Sequence, residues 1–392
     1  MNGPPFSMKI LHTADWQLGK PYARVTDPDK RASLRNARIE AIHRIATIAK
    51  EEKVDLVVVA GDVFDSFTAE KSVVSAACAA IGQIPAPVFA IPGNHDHGGP
   101  GCLWEQDFFL KEQEALAPNF QILLEPAPVE TDSAILFPCP LLRRHEAGDP
   151  TSWLREIEID SEKPRIILAH GSTQGFDSSS GDDEEDHLGA PNLIALDRLP
   201  SGEFDYVALG DWHGAKEISP LAWYSGTHEI DRFPKGDDND PGNILITTVE
   251  RGRPPSVEKI SSGALSWHVL SYTLAADEDV EHLDSLLTET IGSRAGSDLL
   301  HLTIDGAIGF AASASLDQLI EKWEARLLRL KLKSDIALSP SDEEAATLID
   351  RPEDPLIGRV ASGLLETASG PDEEAAEVAR IALRELYTAA LS

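Results

Sequence analysis

The first 215 residues show a recurring pattern in which apolar runs alternate with segments of helical periodicity. The run at 56–60 contains five apolar residues, three of them valine, with no polar break before Gly61 and Asp62. A continuous run of this kind is typical of a strand covered on both faces. Strands followed by polar residues are also predicted at 8–14, 86–92, 165–170 and 205–210, and helices at 31–53 and 70–82. The repeat of strand, polar turn and helix predicts an α/β domain.

The organisation changes after about residue 257. Strands are predicted over 266–274 and 299–304 and helices over 278–292 and 315–332, which gives a small α+β domain in the order β-α-β-α. The segment from 341 onward is acidic and rich in alanine, and helices are predicted over 354–368 and 372–391. We therefore predict domains at 8–260, 265–340 and 341–392.

The last predicted helix leaves an apolar stripe, formed by Val378, Ile381, Leu383, Leu386 and Tyr387. Such a stripe either packs on the preceding domain or offers a docking surface to a partner protein. The sequence leaves both alternatives open.

Composition restricts the location and the partners. The chain has 392 residues, a net charge of −32 and three scattered cysteines that fit neither a disulfide framework nor a zinc motif. No apolar run approaches the length that crosses a bilayer, and the first residues lack the regions of a signal peptide. We expect a cytoplasmic protein without a membrane partner. The strong acidity argues against tight, indiscriminate DNA binding by this chain alone, although a local site can still differ.

Five predicted strands end in polar side chains that could bind a metal. In chain order these are Asp15 with Gln17, Asp62, Asn94 with His95, His170, and Asp211 with His213. Taken singly, an Asp after a strand is usually a turn or cap residue, and a lone His is usually structural. Ligand sites of open α/β sheets lie at the carboxyl ends of their strands, so five such ends together indicate one shared site.

The donor types indicate the chemistry of that site. Carboxylates, amide oxygens and imidazoles without a thiolate suit Mn²⁺, Fe²⁺ or Zn²⁺. There are more donors than one ion needs, and two ions roughly 3.5–4 Å apart can hold a phosphoryl group and activate water. Asp62 is the natural bridging carboxylate.

Five motifs resemble those of the calcineurin-like metallophosphoesterases. They are Asp15-x-Gln17, Gly61-Asp62-x-x-Asp65, Gly93-Asn94-His95-Asp96, His170-Gly171 and Gly210-Asp211-x-His213. Within that superfamily the chain is most similar to the SbcD group of DNA repair exonuclease subunits, because the segment 223–233 and the C-terminal extension resemble theirs. The resemblance implies two mixed sheets flanked by helices, followed by a small α+β capping domain that limits which DNA ends can enter.

The resemblance also implies a role for each motif residue. Asp15, Gln17, Asp62 and His213 would hold one ion, and Asp62, Asn94, His170 and Asp211 would hold the other. Metal-bound hydroxide would then attack a phosphodiester, with His95 assisting the leaving group. Asp96 would orient His95.

Two positions depart from the motifs of that superfamily, which has His where this chain has Gln17 and Asp211. Both changes replace nitrogen donors by oxygen donors, which favours Mn²⁺ or Mg²⁺ over Zn²⁺. Two divalent ions are therefore expected, Mn²⁺ first, with Mg²⁺ or Fe²⁺ as alternatives. The same changes could instead indicate a weakened first site.

Several other residues are candidates for substrate contact. They are Arg143, Arg144, Trp212, Tyr224 and Arg232, and surface salt bridges or core packing are the structural alternatives. The acidic run 182–186 with His187 is either a solvated loop or a gate over the site. His12, inside the first strand, is expected to be structural.

Together these features predict a two-metal phosphodiesterase that acts on single- or double-stranded DNA, an exo- or endonuclease of DNA repair. An SbcC-like ATPase partner and a homodimer are further expectations from the resemblance. One alternative is a phosphodiesterase for small molecules or cyclic nucleotides, which the acidic surface favours. The other is a catalytically weakened scaffold subunit of an ATPase complex.

Overall fold

A computed structural model describes residues 7–173, 192–233, 239–338 and 341–391. The chain divides after Leu265 into two compact units. The acidic run 182–186 and His187 lie outside the described residues. Within the described parts, no helix is both long and apolar enough to cross a membrane.

The described residues of the first unit form three α-helices and fourteen strands. The helices are α1 (Pro28–Glu52), α2 (Lys71–Ile81) and α3 (Asp107–Leu116). The strands are β1 (Ser7–Thr13), β2 (Leu56–Val59), β3 (Val88–Ala90), β4 (Phe120–Ile122), β5 (Val129–Glu130), β6 (Ile135–Cys139), β7 (Arg165–His170), β8 (Ser172–Thr173), β9 (Leu193–Ile194), β10 (Tyr206–Gly210), β11 (Lys216–Ser219), β12 (Ala222–Tyr224), β13 (Asn243–Glu250) and β14 (Ser256–Ser261).

Two six-stranded mixed sheets form the body of this unit, which confirms the predicted fold class. The first has the order β14-β13-β1-β2-β3-β4, and the second has the order β11-β12-β10-β7-β6-β5. The pairs from β1 to β4 are parallel, whereas β13 is antiparallel to β1. In the second sheet β10 is parallel to β7 and to β12.

Both faces of β2 are covered, which explains its unbroken apolar run. Val57 and Val59 pack in a cluster with residues of α1 and α2. Leu56 and Val58 pack instead with Leu136, Leu168 and other residues of the second sheet. A strand between a helical layer and a second sheet has no solvent-facing side, so the alternation of polar and apolar residues disappears.

The parallel register brings the polar strand ends together. Thr13 of β1 pairs with Val59 of β2, and Val59 pairs with Ala90 of β3, so these three strands end at the same level. In the second sheet His170 pairs with Gly210 in the same way. The residues that follow these five strands therefore lie at the carboxyl edges of the two sheets.

The second unit has a parallel three-stranded sheet in the order β15-β16-β17, and its described residues also form five α-helices. Its elements are β15 (Ser266–Leu274), α4 (Asp279–Thr290), β16 (Asp298–Ile308), α5 (Phe310–Arg326), β17 (Arg329–Leu338), α6 (Asp342–Ile349), α7 (Pro355–Ala368) and α8 (Glu373–Leu391). Helices α4 and α5 cover the sheet through a core that includes Leu283, Leu302 and Trp323.

The third strand of this sheet corrects the predicted helix at 315–332. Helix α5 ends at Arg326, and β17 begins at Arg329. Leu327 and Leu330 continue the helical spacing of the preceding residues. For this reason the sequence predicts a helix that is longer than the one observed. The alternation of Leu330, Lys331, Leu332 and Lys333 is the competing signal, because alternation is typical of a strand that is exposed on one face.

The C-terminal helices pack against α5, so the predicted apolar stripe is divided between two environments. Leu383 of α8 is buried with Phe310, Leu348 and Ala361, and Leu386 and Tyr387 pack beside them. Val378 and Ile381 remain exposed, as do Leu356 and Val360 of α7.

Candidate metal centre

Four predicted ligand residues have backbone conformations that side-chain-bearing residues rarely adopt. Asp15, Gln17, Asp62 and Asp211 have φ angles of 53°, 38°, 55° and 100°. Left-handed conformations cost free energy outside glycine, and they persist where the surrounding structure imposes them. Their concentration at the sheet edges is the pattern of backbone strain that functional sites often show.

The side chains of Asp15, Asp62 and His170 form a compact group. One potential ligand atom from each lies within 4.8 Å of the others, and all three residues are buried. The Nε2 atom of His170 lies 2.9 Å from Oδ1 of Asn94, 3.5 Å from Oδ2 of Asp62 and 3.8 Å from Oδ1 of Asp211. One imidazole nitrogen thus faces oxygens from three different strand ends.

Backbone contacts fix the orientation of this imidazole. The Nδ1–H of His170 donates to the carbonyl oxygen of Ala60 at 2.8 Å. Since a carbonyl oxygen only accepts, Nδ1 carries a proton and Nε2 is the nitrogen available to a metal. This orienting residue, Ala60, lies between the last residue of β2 and Gly61.

The charges at this group favour a cation. Burial raises the pKa of Asp15 well above its usual value, and the neighbouring Asp62 and Asp211 carboxylates raise it further. Burial alone would lower the pKa of His170, but the surrounding carboxylates hold it well above its usual value. The oxygens around Nε2 thus favour a positive charge, which a divalent ion would supply, so these residues fit a metal.

Asp62 is held between the second and third strand ends. Burial would raise its pKa, but His170 and His95 hold the pKa below its usual value. Its Oδ1 accepts a hydrogen bond from the backbone N–H of His95 at 3.0 Å. A Cβ at Gly93 would lie 2.0 Å from this oxygen, so only glycine lets the loop approach the carboxylate.

Asp211 is tied to Asp15 across the two sheets. The backbone N–H of Asp211 lies 3.1 and 3.2 Å from the two oxygens of the Asp15 carboxylate. The hydroxyl of Ser172 donates to Oδ2 of Asp211 at 3.0 Å. Oδ1 of Asp211 remains directed toward His170.

Gln17 and His213 lie together but belong to a different network. Nε2 of Gln17 is 3.4 Å from Nε2 of His213, and Oε1 of Gln17 accepts from the Lys20 ammonium at 3.0 Å. Nδ1 of His213 is 3.0 Å from Oδ2 of Asp231, and Lys20 donates to the same oxygen at 3.1 Å. Burial and the Arg232 guanidinium lower the pKa of His213 to about 4.

His95 lies beside the carboxylate group, with its ring fixed by a neighbouring loop. Its Nδ1 donates to the carbonyl oxygen of Asp65 at 3.0 Å, and its Nε2 is 4.0 Å from Oδ2 of Asp62. Asp96 accepts instead from the backbone N–H groups of Gly93 at 2.7 Å and Phe64 at 3.0 Å. The carboxylate of Asp96 thus joins the loops after β2 and β3, while the backbone of Asp65 orients the His95 ring.

The candidates for substrate contact occupy different environments. Arg143 and Arg144 are exposed, and Trp212 is half-buried. Arg232 contacts Asp231 and His213. Tyr224 is buried, and its hydroxyl donates to the carbonyl oxygen of Gly171 at 2.7 Å. Tyr224 thus occupies a core position, and its contact with a substrate stays a prediction.

One buried cation near the site was not expected from the sequence. Arg38 of α1 is fully buried and donates to the carbonyl oxygens of Trp16 and Asp15 at 2.7 and 2.8 Å, and to Oγ1 of Thr227 at 2.9 Å. It thereby supports the strained turn after β1. The signal in the sequence is an arginine that shares the buried helix face with Leu34 and Ala41.

Known proteins that resemble this chain include one family and one solved structure. The model of a family described as calcineurin-like phosphoesterase matches residues 8–215, just over half of the chain. A solved structure, described as TT1561 of Thermus thermophilus, is 12% identical, with a TM-score of 0.38, over 65% of this chain and 99% of that chain. A likeness at that TM-score supports no argument about function.

Proposed function

Because this chain belongs to the calcineurin-like phosphoesterase family, we propose that it is a metal-dependent phosphodiesterase that cleaves DNA, of the SbcD type. The family implies a metal-dependent phosphoester hydrolase. The observation that carries the proposal is the group of Asp15, Asp62 and His170 with His95 beside it. The DNA substrate is supported by the likeness of segment 223–233 to SbcD proteins and by the unit that follows the phosphoesterase motifs.

The described residues suggest how a phosphodiester would be handled. A divalent ion at Asp15, Asp62 and His170 would, when bound, offset phosphate charge and activate water. When the His95 imidazole is neutral, its hydrogen bond to the carbonyl oxygen of Asp65 keeps the proton on Nδ1. A second proton would therefore bind to Nε2, the nitrogen that faces Asp62. From that atom His95 would hydrogen-bond a phosphoryl oxygen or protonate the leaving oxygen.

The donor set supports the choice of ion. Carboxylate and amide oxygens outnumber the single imidazole around Nε2 of His170. Oxygen-rich sites suit Mn²⁺ or Mg²⁺ better than Zn²⁺, so we propose Mn²⁺ as the activating ion. Higher turnover with Zn²⁺ at equal occupancy would contradict this choice.

Four further parts of the proposal concern the surroundings of the enzyme. A role in DNA repair, a cytoplasmic location and homodimer formation are proposed from the likeness to SbcD proteins. Docking of an SbcC-like ATPase is proposed at the exposed apolar residues Val378 and Ile381 of α8 and Leu356 and Val360 of α7.

One observation favours a second candidate function. The net charge of −32 opposes a long polyanionic substrate more than a small one. The second candidate is therefore a phosphodiesterase for cyclic nucleotides or other small diesters.

Substrate comparison separates the two candidates. Purified protein with Mn²⁺ is given end-labelled single- and double-stranded DNA, cyclic nucleotides and bis-p-nitrophenyl phosphate, alongside Asp62→Ala and His95→Ala. DNA cleavage that both variants lose supports the nuclease. Hydrolysis of small diesters alone supports the second candidate, and inactivity on every substrate with less than one bound ion per chain supports a scaffold role.

A further inference from the structure

Lys20, Gln17, His213 and Asp231 form a closed ring of hydrogen bonds, here called the Lys20 ring. Lys20 donates to Oε1 of Gln17 and to Oδ2 of Asp231. Nδ1 of His213 lies 3.0 Å from Oδ2 of Asp231 and also contacts the Arg232 guanidinium, and Gln17 faces Nε2 of His213 through its amide nitrogen. Each residue contacts the next, and Asp231 closes the ring back to Lys20.

The ring occupies the atoms that would bind a first metal ion. An ammonium group only donates, so its contact assigns Oε1 of Gln17 as the acceptor and turns the NH₂ group toward His213. Gln17 therefore presents its NH₂ group, not its oxygen, to Nε2 of His213, while its oxygen is engaged by the Lys20 ammonium. The amide oxygen that a metal would need is thus occupied inside the protein, and the imidazole nitrogen faces an NH₂ group.

The charge around the ring also disfavours a divalent ion there. The Asp231 carboxylate is contacted by two cations, because Lys20 bonds to Oδ2 and Nε of Arg232 lies 3.3 Å from Oδ1. Both cations therefore lie beside the atoms that would hold a first ion. An ion at Gln17 and His213 would lie against the Lys20 and Arg232 charges, and like charges repel more strongly in a partly buried environment.

The opposite conditions hold around His170. The groups facing its Nε2 are the carboxylates of Asp62 and Asp211 and the amide oxygen of Asn94. Asp15 adds a third carboxylate to this group. We propose that the chain binds a single divalent ion at Asp15, Asp62 and His170, and that the Lys20 ammonium takes the place of a second ion.

The proposal assigns Lys20 the electrostatic role that a second ion would have. Its side chain is 19% exposed while that of Asp231 is fully buried, so the lysine is the member of the pair that reaches the solvent. A phosphate placed at the ion would then meet one divalent cation and one fixed ammonium. This catalytic role rests on the proposed function, whereas the number of ions does not.

Metal counting tests the first half of the proposal. The full chain is equilibrated with Mn²⁺, and bound metal is measured by elemental analysis while electron paramagnetic resonance reports whether the ions are magnetically paired. We expect one Mn²⁺ per chain with an unpaired spectrum, loss of the ion in His170→Ala, and retention of one ion in Gln17→Ala. Two ions per chain, a spin-coupled pair, no bound ion, or loss of the ion in Gln17→Ala would overturn the proposal.

Binding of inorganic phosphate tests the second half without measuring turnover. In the Mn²⁺-loaded protein, Lys20→Met removes the charge and keeps the chain length, and we expect phosphate to bind about tenfold more weakly, as for a lost charged hydrogen bond. Lys163→Met, which removes a lysine paired with Glu130, is the matched control and should bind phosphate as the wild type does. Equal phosphate affinity in the wild type and Lys20→Met would overturn the role of the ammonium.

The two proposals fail in different ways. The protein could bind one ion and bind phosphate through Lys20 but hydrolyse no phosphodiester. That result would support the single-ion proposal and reject the proposed enzymatic function. DNA cleavage with two bound ions would support the enzyme and reject the single ion.

Discussion

Gly61 lies directly against the imidazole of His170. A Cβ built at Gly61 would be 2.2 Å from Nδ1 of the ring, which is far inside any permitted contact. The backbone of Gly61 also has a φ of +96°, where a side chain is strained. The glycine that follows β2 by two residues thus sets the position of a proposed metal ligand on another sheet.

Replacing this glycine should damage the metal site. In Gly61→Ala the new methyl group must displace the His170 ring, so we expect at least about tenfold weaker Mn²⁺ binding through loss of the imidazole ligand. Gly202→Ala is the control, because Gly202 has a φ of +74° and open space around its Cβ position. Both variants should lose about 1–2 kcal/mol of unfolding free energy from the backbone. Calorimetric titration with Mn²⁺ measures the difference, and equal affinities in the two variants would reject this role of Gly61.

Removing the His95 ring should separate catalysis from metal binding. The Nε2 of His95 is directed to the side of Asp62, yet His95 is not one of the three residues of the compact ligand group. We expect His95→Ala to keep its bound Mn²⁺ and to lose about 10²–10⁴-fold in kcat on a diester substrate, the usual effect of a lost general acid. His282→Ala, at an exposed histidine of α4, should retain full activity. Loss of bound metal in His95→Ala would instead make His95 a ligand.

The strand ends show which part of this site was predictable from the sequence. Each buried strand appears in the sequence as an apolar run, and parallel strands end at a common edge of the sheet. The convergence of Asp15, Asp62 and His170 therefore follows from local patterns. The resemblance added the expectation that these residues act on phosphodiesters. The family match supports that at the level of a phosphoester hydrolase.

The Lys20 ring could not be predicted in the same way. Lys20 and Asp231 lie at opposite ends of the first unit in sequence, and neither follows a strand of the pattern that identified the other residues. Their pairing depends on how the segment after β12 folds back on the turn after β1. A local pattern contains no information about such a contact, so the sequence predicts Gln17 and His213 only as metal ligands.

Arg38 should be essential for stability. Its guanidinium donates to Asp15, Trp16 and Thr227 from a fully buried position. Arg38→Met removes these hydrogen bonds, although the Asp15 carbonyl oxygen keeps the Thr227 hydroxyl as a donor. We expect a loss of about 3 kcal/mol in unfolding free energy, since each lost buried hydrogen bond is costly. Arg35→Met on the same helix breaks only a partly exposed pair with Glu70 and should cost less than about 1 kcal/mol. Urea denaturation of both variants measures the difference, and similar losses would show that burial of Arg38 contributes little.

The stability of the protein should fall as the pH drops below neutral, and His12 should be one cause. His12 is fully buried, its Nε2–H donates to the carbonyl oxygen of Leu209, and its Nδ1 lies 2.9 Å from the hydroxyl of Tyr206. Burial lowers its pKa from 6.5 to about 3. Between pH 6.5 and about pH 3 the unfolded chain binds a proton that the folded chain does not. The free energy of unfolding therefore decreases with falling pH, by up to about 1.4 kcal/mol per pH unit.

His12→Gln removes the titrating group and tests this prediction. Urea denaturation at pH 7, 6 and 5 should give a shallower pH dependence of the unfolding free energy than in the wild type. Parallel curves for the two proteins would mean that His12 is protonated equally in the folded and unfolded states.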